Sequence, residues 1–244
     1  TKEQASAFAK LALKGLQIAG IRFAKQAIER GAVAVVSEEA APADAGVPWV
    51  PVTNARLALA LLAAEFYQHP SAEMTVVGIT GTNGKTTTAH LLASIFEAAW
   101  LRCGVLGTVA HRVVDHVREA TRTTPEAPDV QGLLREMVTA GCAACVMEVS
   151  SHALSLGRVD GVSFAAGVFT NLTRDHLDFH ADMEAYFQAK RRLFDMLRPY
   201  APSVVNLDDP RGPGLAEQVA KPVTYAITRP SDVMPGPLSS TLEG

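Results

Sequence analysis

A glycine-containing loop holds the residues of this sequence whose types and spacing most clearly suggest chemistry. The loop follows an apolar run at residues 76–80 and precedes an amphipathic helical pattern at 85–99. At a helix N-terminus, backbone N–H groups and the helix dipole attract phosphate, and a lysine and a threonine add a positive charge and a Mg²⁺ ligand. The glycine spacing is tighter than in the strict phosphate-loop pattern, because Ile79 stands where that pattern has glycine. We predict a nucleoside triphosphate site with Mg²⁺ at Gly81, Thr82, Asn83, Gly84, Lys85, Thr86 and Thr87.

Polar residues also follow two other apolar runs. Glu148 lies near the end of the run at residues 143–149, and a polar stretch at 170–176 follows the run at 164–169. Unbroken apolar strands that alternate with helices indicate a parallel sheet covered on both faces, and ligands bind beyond the carboxyl ends of such strands. We expect the loop and both polar sets to share one crevice. A Mg²⁺ ion between Glu148 and Thr86 would compensate a carboxylate at the end of an apolar strand.

Several other polar residues have two interpretations on residue type alone. His176 is either a second cation ligand or a loop histidine that bonds to its neighbours. Lys190 lies inside a predicted helix, where a lysine is ordinarily solvated. Guanidinium and hydroxyl groups suit carboxylate or phosphate oxygens, but they also occur in turns. Both interpretations stay open for Thr123, Thr124 and Arg158.

The composition is that of an ordinary soluble globular protein. Of the 244 residues, 48% are hydrophobic and 19% are charged, and the formal net charge is −3. This balance gives no electrostatic basis for binding nucleic acid or acidic membranes. The sequence shows no signal peptide or transmembrane pattern and an odd number of cysteines, so we expect a reducing, cytoplasmic compartment. The oligomeric state stays open, with a monomer as the default expectation. Buried structural thiols are predicted at Cys103, Cys142 and Cys145.

The apolar patterns and turn residues divide the chain into two predicted domains, at residues 1–70 and 71–244. Asn54 and Asp182 are predicted to cap helices. The predicted helices lie at residues 23–30, 55–67, 85–99, 126–140 and 182–197. The predicted strands lie at residues 33–36, 50–52, 76–80, 103–109, 143–149, 164–169, 204–207 and 223–226, with an extended segment at 113–117 and turns at 208–210 and 211–213.

Four motifs in this order resemble the Mur ligase family. They are the loop at residues 81–87, Thr-Thr-Pro-Glu-Ala at 123–127, Met-Glu-Val-Ser-Ser-His-Ala-Leu at 147–154 and Phe-Thr-Asn-Leu-Thr-Arg-Asp-His-Leu-Asp at 169–178. The second and third motifs are similar to the MurE branch of that family. The resemblance implies an α/β fold, with a small N-terminal UDP-binding domain and a central P-loop-type ATPase domain that has a mostly parallel sheet. By the same resemblance, we expect the Rossmann-like C-terminal domain of the family to be absent from this chain.

The resemblance implies an ATP-dependent amide ligase of peptidoglycan precursor synthesis. In such an enzyme the γ-phosphate of ATP is transferred to the D-glutamate carboxylate of UDP-N-acetylmuramoyl-L-alanyl-D-glutamate, which gives an acyl phosphate. The amine of a diamino acid, either meso-diaminopimelate or L-lysine, then attacks, and ADP and phosphate leave. Two anions meet in one crevice in this scheme, so divalent cations and a lysine are needed to offset their repulsion.

The family also implies roles for individual residues. Its ATP site corresponds to the loop at residues 81–87, and its catalytic positions correspond to Lys85, Glu148, His176 and Lys190. One Mg²⁺ ion would be held by Thr86 and Glu148, and a second with help from His176. Lys190 matches a lysine that is carbamylated in the family, which converts a cation into an anionic metal ligand. The UDP-muramoyl dipeptide would be held by Thr123, Thr124, Ser150 and Arg158.

The sequence departs from the family pattern in several places. The uridine-binding Asp-Ser-Arg motif is not recognisable near the N-terminus, Ala19 replaces an aspartate, and Leu156 stands where some members have a substrate-binding glutamine. Because the third domain is missing as well, we expect this chain, as a piece cut at both ends, to bind ATP without ligating on its own. The alternatives are a folylpolyglutamate synthase-like ligase and an ATP-binding module without ligase activity.

Overall fold

The computed structural model describes residues 20–175 and 178–236, which form two sheets and seven α-helices. The helices are α1 (Ala24–Glu29), α2 (Ala55–Phe66), α3 (Lys85–Ala98), α4 (Ala127–Thr139), α5 (Ser151–Ser155), α6 (Met183–Asp195) and α7 (Gly212–Gln218). The strands are β1 (Val35–Ser37), β2 (Trp49–Pro51), β3 (Thr75–Thr80), β4 (Cys103–Leu106), β5 (Ala110–Val113), β6 (His116–Glu119), β7 (Ala144–Glu148), β8 (Ala166–Phe169), β9 (Ser203–Asn206) and β10 (Pro222–Tyr225). Two short 3₁₀ helices precede α1 and β3, at Gly20–Phe23 and Pro70–Ala72.

The larger sheet has eight strands in the order β10-β9-β8-β3-β7-β4-β5-β6, and β1 and β2 form a small parallel sheet of their own. The neighbours from β10 to β4 are parallel, and β5 and β6 complete the sheet as an antiparallel edge. In the middle, β3 pairs with β7 through Ile79 and Glu148, and with β8 through Thr80 and Phe169. The carboxyl ends of these three strands therefore meet at one edge of the sheet. The predicted α/β fold with a mostly parallel sheet is confirmed.

Alternate residues of the central strands enter two hydrophobic clusters, one on each face of the sheet. In β3, Val76 belongs to one cluster and Ile79 to the other. The first cluster includes Leu134 of α4 and Leu193 of α6, and the second includes buried alanines of α3. Gly78 permits close packing on the first face, since a Cβ there would lie 2.8 Å from Leu193 Cδ1. Helices thus cover both faces, which explains why the central strands are unbroken apolar runs.

Both predicted N-caps are confirmed. Asn54 Oδ1 accepts a hydrogen bond from Leu57 N at 3.0 Å at the start of α2. Asp182 Oδ1 accepts one from Ala185 N at 2.7 Å at the start of α6. Each cap satisfies one of the N–H groups that the first turn of a helix leaves without an internal partner.

Arg135 of α4 holds the segment that joins the two sheets. Its guanidinium donates to the backbone oxygens of Tyr67 and Gln68, both at 2.9 Å, and to Glu73 Oε1 at 2.6 Å. Helix α2 packs against α4 beside this segment. In the sequence, the strands of the small sheet precede this segment and those of the large sheet follow it. The division into two domains near residue 70 stays a prediction.

Several segments differ from their predicted form. Residues 113–117 are not one extended segment but the turn of the β5–β6 hairpin and its flanks, and Val114 has a φ of 52° there. Residues 212–213 begin α7 instead of forming a turn, and Arg211 is its N-cap. Pro213 is compatible with this position, because the N–H groups of the first helical turn have no partner within the helix. Helix α5 was not predicted, and Ser150 caps it by accepting from Ala153 N at 3.2 Å.

The three cysteines agree with the prediction of buried structural thiols. Cys103, Cys142 and Cys145 are buried free thiols. Burial raises the pKa of Cys103 to about 11, so this thiol stays protonated and unreactive at neutral pH. Over the described part of the chain, none of the helices has both the length and the hydrophobicity to cross a bilayer.

Candidate functional site

Two glycines shape the loop between β3 and α3. Gly81 has a φ of +149°, and a Cβ there would lie 1.9 Å from Thr170 Oγ1. Gly84 is the N-cap of α3 and has a φ of 82°. These conformations favour glycine, since residues with a Cβ rarely adopt them. The first N–H groups of α3 have no partner within the helix, which makes the loop suited to binding an anion.

The segment after β8 supports this loop from one side. Thr82 N donates to Asn171 O, and Asn83 N donates to Asn171 Oδ1, both at 2.9 Å. In return, Thr170 Oγ1 donates to Asn83 O at 2.7 Å. The structure therefore brings together the polar segments that follow β3 and β8.

Lys85 turns its ammonium group back onto the loop. Its Nζ donates to Gly81 O and Thr82 O, both at 2.9 Å. Burial lowers the pKa of Lys85, and the nearby carboxylates of Glu148 and Asp175 oppose this shift. Neutral carbonyl oxygens are weaker partners for an ammonium group than phosphate oxygens are. A phosphate in the loop would therefore compete for Lys85.

Lys190 is buried in α6, with 2% of its surface exposed. Its Nζ donates to Gly81 O at 2.8 Å and lies 4.5 Å from the centre of the Tyr186 ring. Burial, and after it the charge of Lys85, lowers the pKa of Lys190 to about 7. The expectation from residue type alone, a solvated helix lysine, is wrong. Lys190 instead has a large uncharged fraction at neutral pH, and it contacts the loop between β3 and α3, which is called the nucleotide loop below after its predicted ligand.

Glu148 is the last residue of β7, and only 1% of its surface is exposed. Its Oε1 accepts from Thr108 N at 3.0 Å. Its Oε2 accepts from Thr86 Oγ1 at 3.0 Å and from Thr108 Oγ1 at 2.9 Å. Burying a carboxylate is unfavourable unless strong partners surround it, and a divalent cation is such a partner. Carboxylate and hydroxyl oxygens are ligands that Mg²⁺ accepts, so Glu148 and Thr86 fit this ion.

Any cation here would need further ligands from outside this pair. Within residues 20–175 and 178–236, no group of three or more His, Cys, Asp or Glu side chains could hold a metal ion. Mg²⁺ commonly uses one or two carboxylates together with water and substrate phosphates, so this donor set suits it. His176, predicted as a ligand of a second ion, lies outside the described residues.

Thr124 connects Glu148 to Ser150 and Arg158, two other residues that are predicted to bind the UDP-muramoyl dipeptide. Its Oγ1 is buried and donates to Glu148 O at 2.9 Å, and it accepts from Ser150 N at 3.1 Å. Its backbone oxygen accepts from Arg158 Nη1 at 3.2 Å. Thr124, Ser150 and Arg158 thus form one hydrogen-bonded group beside the end of β7, which is called the acceptor group below after the acceptor substrate predicted for these residues.

Three guanidinium groups surround Glu126 next to this group. Glu126 Oε1 lies 2.5 Å from Arg122 Nη1 and 3.0 Å from Arg158 Nη2. Glu126 Oε2 lies 3.7 Å from Arg56 Nη1, which α2 supplies. Burial lowers the pKa of Arg158, and the carboxylate of Glu126 opposes this shift. Guanidinium groups bind carboxylate and phosphate oxygens well, so this arrangement suits an anionic ligand.

Sequence reasoning missed Thr108, Arg56 and Asp209. Thr108 was placed inside a strand predicted to end at residue 109, whereas β4 ends at Leu106. A shorter strand would have put Thr108 among the polar residues at the carboxyl ends. Arg56 had no local signal, because its partner Glu126 lies far away in the sequence.

Asp209 holds the segment that follows β8 in place through a hydrogen bond, although the sequence predicted only a turn at this residue. The side chain is buried, with 6% exposed. Its Oδ2 accepts from Leu172 N at 2.7 Å, and its Oδ1 accepts from Arg211 N at 2.8 Å. Because Leu172 follows Asn171, which holds the nucleotide loop, Asp209 supports that loop indirectly.

Comparisons with known proteins indicate the family to which this chain belongs. Residues 79–241 match the family model described as Mur ligase middle domain, and residues 5–67 match the model described as Mur ligase family, catalytic domain. Two curated relatives, from Geobacter metallireducens and Chlorobaculum tepidum, are named UDP-N-acetylmuramoyl-L-alanyl-D-glutamate--2,6-diaminopimelate ligase. The first is 46% identical over 226 residues, which cover 90% of this chain and 44% of the relative. The second is 50% identical over 212 residues, which cover 86% of this chain and 42% of the relative.

A solved structure with the same ligase name is also similar to this chain. It has a TM-score of 0.79 and 31% sequence identity, and the match covers 91% of this chain and 46% of the other. This chain spans less than half the length of the curated relatives that it matches. The match to the middle-domain model extends over most of the chain and includes the nucleotide loop, Glu148 and Lys190. The chain therefore belongs to the Mur ligase family.

Proposed function

We propose that this chain holds the ATP-binding and acceptor-binding parts of a MurE-type amide ligase. Such an enzyme joins a diamino acid to the D-glutamate carboxylate of UDP-N-acetylmuramoyl-L-alanyl-D-glutamate, through an acyl phosphate. The observation that carries the proposal is the position of Glu148. Its side chain contacts Thr86 of the nucleotide loop, and its backbone oxygen contacts Thr124 of the acceptor group. A phosphoryl donor and an acceptor carboxylate held on these two sides would meet beside one residue.

The residues of the nucleotide loop have complementary roles in this proposal. ATP with Mg²⁺ would supply the phosphoryl group and the positive charge that offsets the acceptor carboxylate. The backbone N–H groups of residues 81–87 would bind phosphate oxygens. Lys85 would exchange the carbonyl oxygens that it now contacts for phosphate oxygens. Thr86 and Glu148 would hold the cation in place of their present hydrogen bond, and His176 remains the proposed ligand of a second ion.

The acceptor group would bind the UDP-muramoyl dipeptide through its positive charge and its hydroxyl groups. Arg158 and its neighbouring guanidinium groups attract the anionic substrate. Thr123 and Ser150 offer hydroxyl groups to its oxygens. Thr124 already donates its hydroxyl proton to Glu148 O, so it would not donate to the substrate. It would instead hold Ser150 and Arg158 in place.

Lys190 would act after carbamylation, as the family resemblance implies. The uncharged amine attacks CO₂ and loses a proton, which leaves a carbamate anion on Nζ. A pKa of about 7 supports this role, because an amine with the usual pKa of 10.5 is almost entirely protonated at neutral pH. The contact of Nζ with Gly81 O would place the new anion beside the nucleotide loop, where a cation could bind it.

We also propose diaminopimelate as the amine, since the relatives are named for it, and a cytoplasmic monomer as the form in which the enzyme works. The two predicted domains, at residues 1–70 and 71–244, would bind the UDP group and ATP respectively. This chain spans less than half the length of these relatives, and we propose that both ligands bind to residues within it.

Isothermal titration calorimetry tests this proposal on the chain itself. Wild type should bind a non-hydrolysable ATP analogue with Mg²⁺, and it should also bind UDP-N-acetylmuramoyl-L-alanyl-D-glutamate. Lys85→Ala should weaken binding of the analogue at least about tenfold, because a charge-assisted contact with phosphate is lost, and it should leave dipeptide binding in place. Lys25→Ala, which removes an exposed lysine of α1 outside the predicted ATP-binding domain, is the matched control and should bind the ATP analogue as wild type does.

Two outcomes would contradict the proposal. If the chain binds a pteroate or folate acceptor in place of the UDP-muramoyl dipeptide, the folylpolyglutamate synthase-like alternative is correct. If it binds the ATP analogue but neither acceptor, it is a nucleotide-binding module of another kind.

A further inference from the structure

Thr108 has no role in the function proposed so far, yet it lies between the two halves of the site. It follows Gly107 directly after β4. Its Oγ1 lies 2.9 Å from Glu148 Oε2 and 3.1 Å from Thr123 Oγ1. Thr108 therefore joins the carboxylate proposed to hold the cation to a hydroxyl proposed to hold the acceptor.

The backbone around Thr108 fixes the residue in this position. Its N–H donates to Glu148 Oε1 at 3.0 Å. Gly107 allows this approach, because a Cβ at that residue would lie 2.5 Å from the same oxygen. The main chain is thus tied to the carboxylate, while the hydroxyl proton of Thr108 is free to rotate between partners.

A hydroxyl group has one proton and can donate it to one acceptor at a time. The position of Thr108 Oγ1 suits donation to either Glu148 Oε2 or Thr123 Oγ1. Hydrogen bonds to a charged acceptor are roughly twice as strong as neutral ones, so the free carboxylate takes the proton. A cation on Glu148 Oε2 would engage that oxygen, and the proton would then turn to Thr123.

This rotation would change what Thr123 offers to a ligand. A hydroxyl that accepts a hydrogen bond becomes a better donor, because hydrogen bonds in a chain polarise one another. An anionic oxygen of the acceptor substrate would gain from such a donor. We propose that Thr108 is a positioning residue that transmits cation binding at Glu148 to acceptor binding at Thr123. The identity of the acceptor rests on the function proposed above.

The experiment measures the affinity of the chain for UDP-N-acetylmuramoyl-L-alanyl-D-glutamate by calorimetry, with and without Mg²⁺ and the ATP analogue. In wild type, Mg²⁺ with the analogue should tighten dipeptide binding by about 2- to 10-fold, which is the change in affinity expected from one additional hydrogen bond. Thr108→Val keeps the shape of the side chain but removes the hydroxyl, so the two affinities should become equal. Thr108→Ser restores a hydroxyl and should restore the difference.

A matched control and a second readout separate this role from simple support of Glu148. Thr139→Val removes the hydroxyl of an exposed threonine at the far end of α4, whose Oγ1 donates to Arg135 O at 2.8 Å, and it should behave as wild type. The affinity of Thr108→Val for Mg²⁺ and the analogue, measured without dipeptide, should stay within about twofold of wild type. A larger loss would show that Thr108 only holds Glu148 in place, and would overturn the inference.

The other outcomes are equally distinct. If Thr108→Val keeps the wild-type difference between the two dipeptide affinities, the inference is wrong and the ligase proposal is unaffected. If wild type binds no dipeptide under either condition, the proposed function fails and the inference fails with it.

Discussion

Replacing Lys190 by methionine would remove a buried charge and keep a side chain of similar length. Lys190 is 2% exposed, and burial together with the charge of Lys85 lowers its pKa to about 7 from the usual 10.5. Each pKa unit corresponds to about 1.36 kcal/mol, so this shift implies that burying the charged lysine costs the folded state about 5 kcal/mol. This figure is an upper bound, because relaxation of the folded protein reduces the penalty of a buried charge.

This free energy disfavours the folded state, and it depends on pH. Below about pH 7 the lysine is charged in both states, so the full penalty is present. Above pH 7 the folded chain releases the proton while the unfolded chain still binds it, and stability therefore rises with pH. The penalty disappears as the pH passes the unfolded pKa of 10.5. Between about pH 7 and pH 9 this lysine should add about 2 kcal/mol to the free energy of unfolding.

Urea unfolding of wild type and Lys190→Met at about pH 7, 8 and 9 measures this effect, in buffers freed of CO₂ so that no carbamate forms. Lys190→Met should be the more stable protein at pH 7, and its advantage should shrink by about 2 kcal/mol at pH 9. The hydrogen bond from Nζ to Gly81 O is lost, but Lys85 still donates to that oxygen. Lys25→Met, at an exposed position of α1, is the control and should show no such dependence on pH.

A difference between wild type and Lys190→Met that stays constant from pH 7 to pH 9 would refute this reasoning. It would mean that Lys190 releases its proton at the same pH in the folded and unfolded chains. A variant less stable than wild type at pH 7 would also contradict it, because the contacts of the ammonium group would then outweigh the penalty of burial.

Two further substitutions test the supports of the nucleotide loop. Gly81→Ala should abolish binding of a fluorescent ATP analogue, since its Cβ would lie 1.9 Å from Thr170 Oγ1; Gly214→Ala, where no atom lies within 4 Å of an added Cβ, should bind as wild type does. Retained binding by Gly81→Ala would place the nucleotide elsewhere. Asp209→Asn should lower the free energy of unfolding by about 1–3 kcal/mol. Each oxygen of the carboxylate accepts from one N–H group, of Leu172 or of Arg211. An amide has a single oxygen, so its NH₂ group would face one of these two N–H groups and that hydrogen bond would be lost. An unchanged urea midpoint would show that this carboxylate does not hold the segment after β8.

The features that the sequence predicted correctly depend on local patterns. β3 and β7 are recognisable as unbroken apolar runs because helices cover both faces of the sheet. Asn54 and Asp182 are recognisable as caps because a cap bonds to an N–H only three residues later. The nucleotide loop was predictable for the same reason, since the strand, the glycines, the lysine and the helix are contiguous.

Lys190 shows how residue type can mislead where periodicity would not. The buried residues of α6 recur at helical spacing, and Tyr186, Phe187, Leu193 and Phe194 flank Lys190 on the same face. Its position within this apolar stripe indicated burial, although lysine is ordinarily solvated. Reading the stripe before the residue type would have corrected the expectation without any knowledge of the family.

Contacts between distant segments were not predictable from the sequence. Arg56 and Glu126 meet because α2 packs on α4, and no local pattern encodes that packing. Thr108 reaches Glu148 because β4 and β7 are neighbours in the sheet, which depends on strand order. The hairpin of β5 and β6 was missed because its strands contain several polar residues and therefore lack the apolar run by which the other strands were recognised.

The order of strands in the sheet has a consequence for synthesis of the chain on the ribosome. β3 emerges before both strands that flank it, because β7 and β8 follow later in the sequence. Thr80, for example, can pair with Phe169 only after Phe169 has been synthesised. Parallel pairing over such separations closes long loops and is slow. Meanwhile Val76 and Ile79, which are fully buried in the folded protein, are exposed on a strand with unpaired edges. The yield of soluble chain should therefore depend on chaperones and on temperature during translation.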